Sequence, residues 1–246
     1  MRIIVTENYQ EMSIKAAKVI ASQITLKPDS ILGLATGSTP VGMYKELINM
    51  YKNRELDFST VKTFNLDEYY GLSEENDQSY HNFMRENLFV HINVKKENIN
   101  IPNGNVLDIE TECENYERMI RESGGIDIQV LGIGCNGHIG FNEPNINFEA
   151  STHLVNLTQD TIEANSRFFS SIEEVPTKAI SMGIKTIMQS KKILLLANGE
   201  AKADVVYEMI KGKILPEVPA SILQLHNDVT IVLDRESAAK LKDNVV

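Results

Sequence analysis

Residues 126–144 read IDIQVLGIGCNGHIGFNEP. The first nine, IDIQVLGIG, are an apolar, β-branched run of the kind that forms a buried strand. Gly132, Gly134 and Gly137 then spell a formal G-x-G-x-x-G, the fingerprint of a dinucleotide-binding turn. That fingerprint needs a helix after its glycines. Here His138-Ile139-Gly140-Phe141-Asn142-Glu143-Pro144 puts a glycine and a proline in its place, so the strand is kept and the nicotinamide or flavin reading is not. The glycines instead suit a backbone that comes close to a small ligand, with His138 projecting beside it.

Outward from this stretch, short apolar runs alternate with amphipathic segments. Strands are expected at RIIV near the start and at 31–35, 61–66, 126–134, 178–183, 192–197 and 229–234. Helical patterns fill 10–24, 40–52, 77–89, 107–122, 158–168, 199–211 and 235–242. This alternation predicts an α/β fold, a parallel sheet covered by helices on both faces. Ligands of such sheets bind beyond the carboxyl ends of the strands, so the residues just after each strand are the informative ones.

Composition is compatible with one domain. A chain of 246 residues, 42% hydrophobic, can close a single sizeable core, and no linker, low-complexity tract or fixed-period repeat divides it. The opening MRIIVTENYQ is too short in its apolar part for a signal peptide, and no run reaches membrane-spanning length. Cys113 and Cys135 match no metal spacing and suggest no disulfide framework, so a cytoplasmic protein without a membrane partner is expected. The 24 Lys+Arg and 34 Asp+Glu give a net charge of −10. With no basic arm or stripe, nucleic acid is not an expected partner.

Four strand ends carry unusual chemistry. After 31–35 come Thr36-Gly37-Ser38-Thr39-Pro40. Glycine, hydroxyls and first-turn N–H groups suit a phosphate, but an ordinary strand-to-helix turn capped by Thr39, with Pro40 opening the helix, fits equally. After 61–66 come Asp67 and Glu68 with Tyr69 and Tyr70. A carboxylate there is placed to act as a general base, and alternation along an extended chain lets only one of the pair face a site. In the opening stretch, Asn136, His138, Asn142 and Glu143 cluster. A histidine with a carboxylate partner is held in one tautomer and suited to proton transfer near neutrality. After 192–197 come Gly199 and Lys202. A lysine in a first helical turn opposes the helix dipole, which hints at an anionic ligand.

Taken together, ATGSTP, FNLDEYYGL, GxNGHIGFNEP, ANSRFF and GEAKA, in this order and continued by PASILQLH, resemble the glucosamine-6-phosphate deaminase (glucosamine-6-phosphate isomerase) family from about Ile31 to His226. The resemblance implies a modified Rossmann-like α/β fold without a nucleotide. It also implies conversion of glucosamine 6-phosphate and water to fructose 6-phosphate and ammonia in amino-sugar catabolism, with no metal or organic cofactor. By motif match, Asp67 corresponds to the base that moves a proton between C2 and C1. His138 corresponds to the acid/base that opens the pyranose ring, and Glu143 to the carboxylate that orients it. Asn136 stands where some members have Asp, so it can hydrogen-bond but adds no charge. The phosphate would lie among Gly37, Ser38, Thr39, Arg167 and Lys202.

The resemblance further implies a mobile lid at about 145–180, read here as a helix flanked by loops. In members activated by N-acetylglucosamine 6-phosphate the stretch after NEP carries basic residues. Here NINFEASTHLVNL has none, which speaks against that activation, and a monomer is as compatible as a homo-oligomer. Two rival readings stay open. A 6-phosphogluconolactonase-like hydrolase would share the fold but needs no base at C2. A sugar-phosphate-sensing domain would bind the ligand without turnover, yet the chain has no segment for a DNA-binding helix-turn-helix.

Overall fold

The computed structural model describes residues 1–167 and 169–241. Phe168 and 242–246, which include the last positions of the helices expected at 158–168 and 235–242, lie outside the described residues. In chain order the first half comprises β1 (Arg2–Thr6), α1 (Tyr9–Leu26), β2 (Ile31–Leu34), α2 (Ser38–Lys52), β3 (Lys62–Asn65), β4 (Asp67–Tyr69), α3 (Tyr80–Asn87), β5 (Ile99–Asn100) and α4 (Ile109–Glu122). The second half comprises β6 (Ile128–Leu131), β7 (His153–Asn156), α5 (Gln159–Ser166), β8 (Lys178–Ser181), α6 (Ile184–Met188), β9 (Ile193–Ala197), α7 (Ala203–Lys211) and β10 (Val229–Asp234).

Seven strands form one sheet in the order β1-β10-β9-β6-β2-β3-β5, and every neighbouring pair is parallel. The central strands ILGL, IQVL and ILLLA are buried at every position, so both faces of the sheet are covered, as the alternation predicts. From the β2–β6 pair the chain winds outward through β3 and β5 on one side and through β9 and β10 on the other, with the first strand, β1, at the edge beside β10. The loops after β2 and β6 therefore flank the point where the winding reverses, where open α/β sheets form their ligand crevice.

Local chemistry fixes these elements. Asn8 caps α1 by accepting from the Glu11 N–H at 3.0 Å, and Met12, Ala16, Ala17, Ile20 and Ile24 turn one helical stripe inward. At the lower rim Asp127 accepts from Lys27 Nζ (2.6 Å), Lys191 Nζ (2.7 Å) and the Ile31 N–H (2.8 Å). Burial pushes this carboxyl's pKa up, but those three donors together hold it below its ordinary value.

A second, three-stranded antiparallel sheet, β4-β8-β7, stands beside the first. The chain crosses between them at Leu66, whose N–H still bonds the Leu34 carbonyl (3.0 Å) while its carbonyl accepts from the Met182 N–H (2.8 Å). Tyr69, Phe141, Leu157 and Ala179 form a separate small core there, with Tyr80 and Phe169 packed on it.

Several elements differ from the sequence expectation. Asp67 begins a strand instead of merely following one. The stretch 145–180 contains β7 as well as α5, and the run 199–211 opens with a 3-10 turn over Glu200–Lys202 before α7. The expected helix at 235–242 is a set of turns over its described part. The Asp234 carboxylate takes the Ser237 N–H (2.8 Å), and the Ser237 hydroxyl donates to the Ala197 carbonyl (2.9 Å). These local side-chain bonds compete with a helical ladder. Among the described residues no helix is long and apolar enough to cross a membrane.

Candidate active site

The turn after β2 is built for close backbone approach. Gly37 sits at φ 90° and is the cap residue of α2, so Ser38 and Thr39 occupy the first turn and Pro40 follows within it. Thr39 is therefore not the cap, and Pro40 is not the first helical residue. Neither loses by this, since first-turn N–H groups have no intrahelical partner. The Ser38 carbonyl accepts from Tyr9 Oη (3.1 Å), and Thr39 Oγ1 bonds Asn198 Oδ1 (3.0 Å). Arg167, at the end of α5, brings Nη2 to 3.5 Å from Ser38 Oγ. The Asn198 bond ties the Gly199–Lys202 turn to Thr39, and the Gly199 N–H is held by both oxygens of Asp234 (3.1 and 3.0 Å). Among the described residues Lys202 pairs with no carboxylate. First-turn N–H groups, hydroxyls and the Arg167 guanidinium thus border one surface, with the turn that carries Lys202 tied beside it, which suits a dianionic phosphate.

At β4 the two acids part, as strand alternation requires. Glu68 is 1% exposed and is wholly structural. Its oxygens accept from the N–H groups of Tyr69 (2.8 Å), Tyr80 (2.9 Å) and His81 (3.0 Å), and Oε2 lies 2.8 Å from His81 Nδ1. These bonds fasten the first turn of α3 to β4. Removing them by Glu68→Ala leaves buried donors unpaired, and a loss of about 1–3 kcal/mol in unfolding free energy is expected, read by urea denaturation.

Asp67 faces the other way. It is 6% exposed and takes no hydrogen bond from the described residues. Burial, with a smaller contribution from the Glu68 charge, pushes its carboxyl up to about 8. The surrounding phenols of Tyr69 and Tyr80 are raised too, first by burial, Tyr69 to about 12, so they are neutral. A buried carboxyl whose pKa lies near neutrality has the tuning that a general base needs.

The loop after β6 contains no helix, which disposes of the dinucleotide reading. It folds back through the Gly134 N–H to the His138 carbonyl (2.9 Å), with Gly137 at φ 90°. Glu143 gathers the side chains that sequence placed together. Its Oε2 accepts from Asn136 Nδ2 (2.8 Å) and stands 3.3 Å from His138 Nδ1, a close contact off the line of the ring N–H. Burial works to raise this carboxyl, yet His138, Thr161 and Asn136 outweigh it and pull it down to about 2. The next turn closes on Asp67. The Phe141 N–H donates to Ser181 Oγ (3.0 Å), and Ser181 is the strand partner of Asp67. A Cβ at Gly140 would stand only 3.6 Å from Asp67 Oδ2. Asp67 and the histidine loop therefore share one crevice.

Gly134 has a steric reason of its own. A Cβ there would meet the His138 ring at 2.4 Å, while the hydrogen bond between the same two backbones prevents a compensating shift. In Gly134→Ala the ring is forced off Glu143, and turnover is expected to fall by about 10²-fold with a far smaller change in melting temperature.

Two partners lie outside the sequence expectation. Asn198 orients Thr39, and Thr161 Oγ1 donates to Glu143 Oε1 at 2.5 Å. Asn198 follows an apolar strand and is legible in principle, whereas nothing in Thr158-x-x-Thr161 points to an acid 18 residues earlier. Among the described residues no group of three or more His, Cys, Asp or Glu side chains could hold a metal ion.

This geometry has counterparts among known proteins. A family model described as glucosamine-6-phosphate isomerases/6-phosphogluconolactonase matches residues 6–232. A glucosamine-6-phosphate deaminase of Clostridium botulinum (strain Langeland) is 69% identical over 242 residues, covering 98% of this chain and 99% of the relative. A solved structure described as a monomeric glucosamine-6-phosphate deaminase is 48% identical, with a TM-score of 0.95 over 98% of this chain and 100% of that one. The 6-phosphogluconolactonase of Trypanosoma cruzi superposes with a TM-score of 0.77 over 98% of this chain and 97% of its own, at 20% identity, a likeness of fold alone. The parallel sheet, the crevice at its winding reversal and these matches together make the chain a member of the glucosamine-6-phosphate isomerase/6-phosphogluconolactonase family.

Proposed function

We infer that the protein is a glucosamine-6-phosphate deaminase, an enzyme that converts glucosamine 6-phosphate and water to fructose 6-phosphate and ammonia. Relatives of that name match nearly the full chain. The observation that favours this over lactone hydrolysis is Asp67, a buried carboxyl raised to about 8 beside the histidine loop. A lactonase has no C–H bond to break and needs no base at C2.

The roles follow from the chemistry. Phosphate binding by the Gly37–Thr39 turn, Arg167 and Lys202 anchors the remote end of the sugar, and that binding energy holds C1 and C2 in place. The bound sugar is a closed hemiacetal. His138, directed by Glu143 and Asn136, carries the proton from the C1 hydroxyl to the ring oxygen. In the open aldehyde, Asp67 removes the C2 proton, the electron pair moves into a C1=C2 double bond, and the C1 oxygen takes up a proton to become a hydroxyl. Return of a proton to C1 leaves C2 as an iminium. Water adds to C2, and ammonia departs with the C2–N electron pair. Burial of the site keeps bulk water from side reactions with the intermediate.

In the same reading the chain is one catalytic domain, and part of 145–180 covers the site. β7 is paired to β8 along its length, so this strand is a fixed part of that cover. A monomer is the favoured state, in line with the description of the solved relative. A cytoplasmic setting goes with a phosphorylated substrate, which does not cross bilayers freely. The discriminating assay offers glucosamine 6-phosphate and 6-phosphogluconolactone side by side. Turnover of the amino sugar alone is expected, and preferential lactone hydrolysis would reverse the assignment.

A further inference from the structure

Thr161 lies on α5, outside every motif that supplies the rest of the site, yet its hydroxyl reaches the histidine loop. The residue is 4% exposed, and its Oγ1 donates to Glu143 Oε1 at 2.5 Å. The other carboxylate oxygen takes Asn136 Nδ2 at 2.8 Å and faces His138 Nδ1 at 3.3 Å. A carboxylate engaged at both oxygens cannot turn about its last bond without losing a contact. The Thr161 hydroxyl is itself aimed. Thr158, the cap of α5, donates to Thr161 Oγ1 at 3.1 Å, which leaves the Thr161 proton for Glu143.

We propose that Thr161 is a positioning residue of the ring-opening step, setting the Glu143 carboxylate against His138 when α5 is seated on the site. The inference rests on the deaminase reading above. Asn136, His138 and Glu143 all come from the loop after β6, so Thr161 is the contact that brings a second element to this carboxylate among the described residues. Seating of α5 and alignment of the histidine are thereby one event. When α5 lifts, Oε1 loses its donor and the carboxylate is free to rotate away from the imidazole. Proton exchange between the C1 hydroxyl and the ring oxygen is then efficient only under the closed cover, where water is excluded. The lowered pKa of Glu143 agrees, since Thr161 is among the donors that hold it down.

The test compares wild type with Thr161→Val, which keeps the shape and removes the hydroxyl, and Thr161→Ser, which keeps the hydroxyl. Ammonia release and thermal melting are read for each, and Thr161→Ala repeats the comparison with a different steric cost. Expected is a fall in kcat of about 10- to 100-fold in the Val and Ala variants, with KM nearly unchanged, a lowered melting temperature that still leaves the protein folded at the assay temperature, and most of the rate restored in the Ser variant. Wild-type kcat in Thr161→Val overturns the inference and leaves the deaminase reading intact. A loss that Ser does not restore also overturns it, as does a rise in KM at constant kcat, which would mark a role in covering the substrate alone. A wild-type protein that releases no ammonia removes the deaminase reading and the inference with it.

Discussion

Asp67→Asn is expected to lower kcat for glucosamine 6-phosphate by about 10²–10⁴-fold and to make the folded protein more stable at pH 8. The first effect follows from the role proposed above for the carboxylate, the base at C2. Asn has nearly the same shape and cannot take a proton, so kcat and kcat/KM should fall together while binding of a phosphorylated ligand survives. Equal loss of ligand binding would show that Asp67 holds the substrate instead of attacking it. The second effect follows from burial. The carboxyl is raised from an ordinary 3.8 to about 8 in the folded chain. Between those values the folded state keeps a proton that the unfolded state has released. Stability from this group is therefore present at low pH and lost as pH climbs toward 8. The Asn variant lacks that slope, so its melting temperature should exceed that of wild type at pH 8, with the gap closing toward pH 4. The same shift gives the pH profile of the wild type, whose kcat/KM should rise as pH approaches about 8 and more of Asp67 is ionised.

His138→Gln is expected to cost about 10²–10⁴-fold in turnover of the closed sugar, with a much smaller loss for an open-chain substrate analogue. Equal losses on both would remove the ring-opening assignment. This substitution should also weaken the fold, unlike the change at Asp67. Glu143 lies about 2 against an ordinary 4.5, so it contributes stability that is present above pH 4.5 and lost as pH falls toward 2. An amide in place of the imidazole removes the ring that packs beside Glu143 Oε2 at 3.3 Å and helps to hold it there. Melting at pH 7 should fall, and acid sensitivity should shift toward neutral pH. Adding Glu143→Gln removes the stranded charge, so the double variant should recover stability without recovering turnover.

Much of this arrangement is legible in the sequence because strand ends in a parallel sheet must point to a shared crevice. The chain positions of Gly37–Thr39, Asp67, His138 and Lys202 follow from that rule once the strands are recognised. Strand alternation also foretells that Asp67 and Glu68 part company. It cannot say which of them faces the crevice, because that depends on the crossing at Leu66 into a second sheet. That sheet is not legible. Its strands are three or four residues long, too short for a period of two to stand out. The turns at 235–240 have the amphipathic spacing of a helix, but the Asp234 and Ser237 bonds outweigh it. Thr161 is invisible for a different reason. A threonine in a first helical turn reads as capping chemistry, and only the three-dimensional return of α5 to the loop after β6 turns it toward Glu143.

The most direct measurement is the yield of ammonia and fructose 6-phosphate from glucosamine 6-phosphate with the purified protein, in wild type and Asp67→Asn, with a chelator present. The expected result is equal molar release of both products by wild type and near silence from the variant, which still binds the substrate. Wild-type protein that binds glucosamine 6-phosphate and releases neither product would contradict the deaminase assignment and leave a sugar-phosphate sensor in its place.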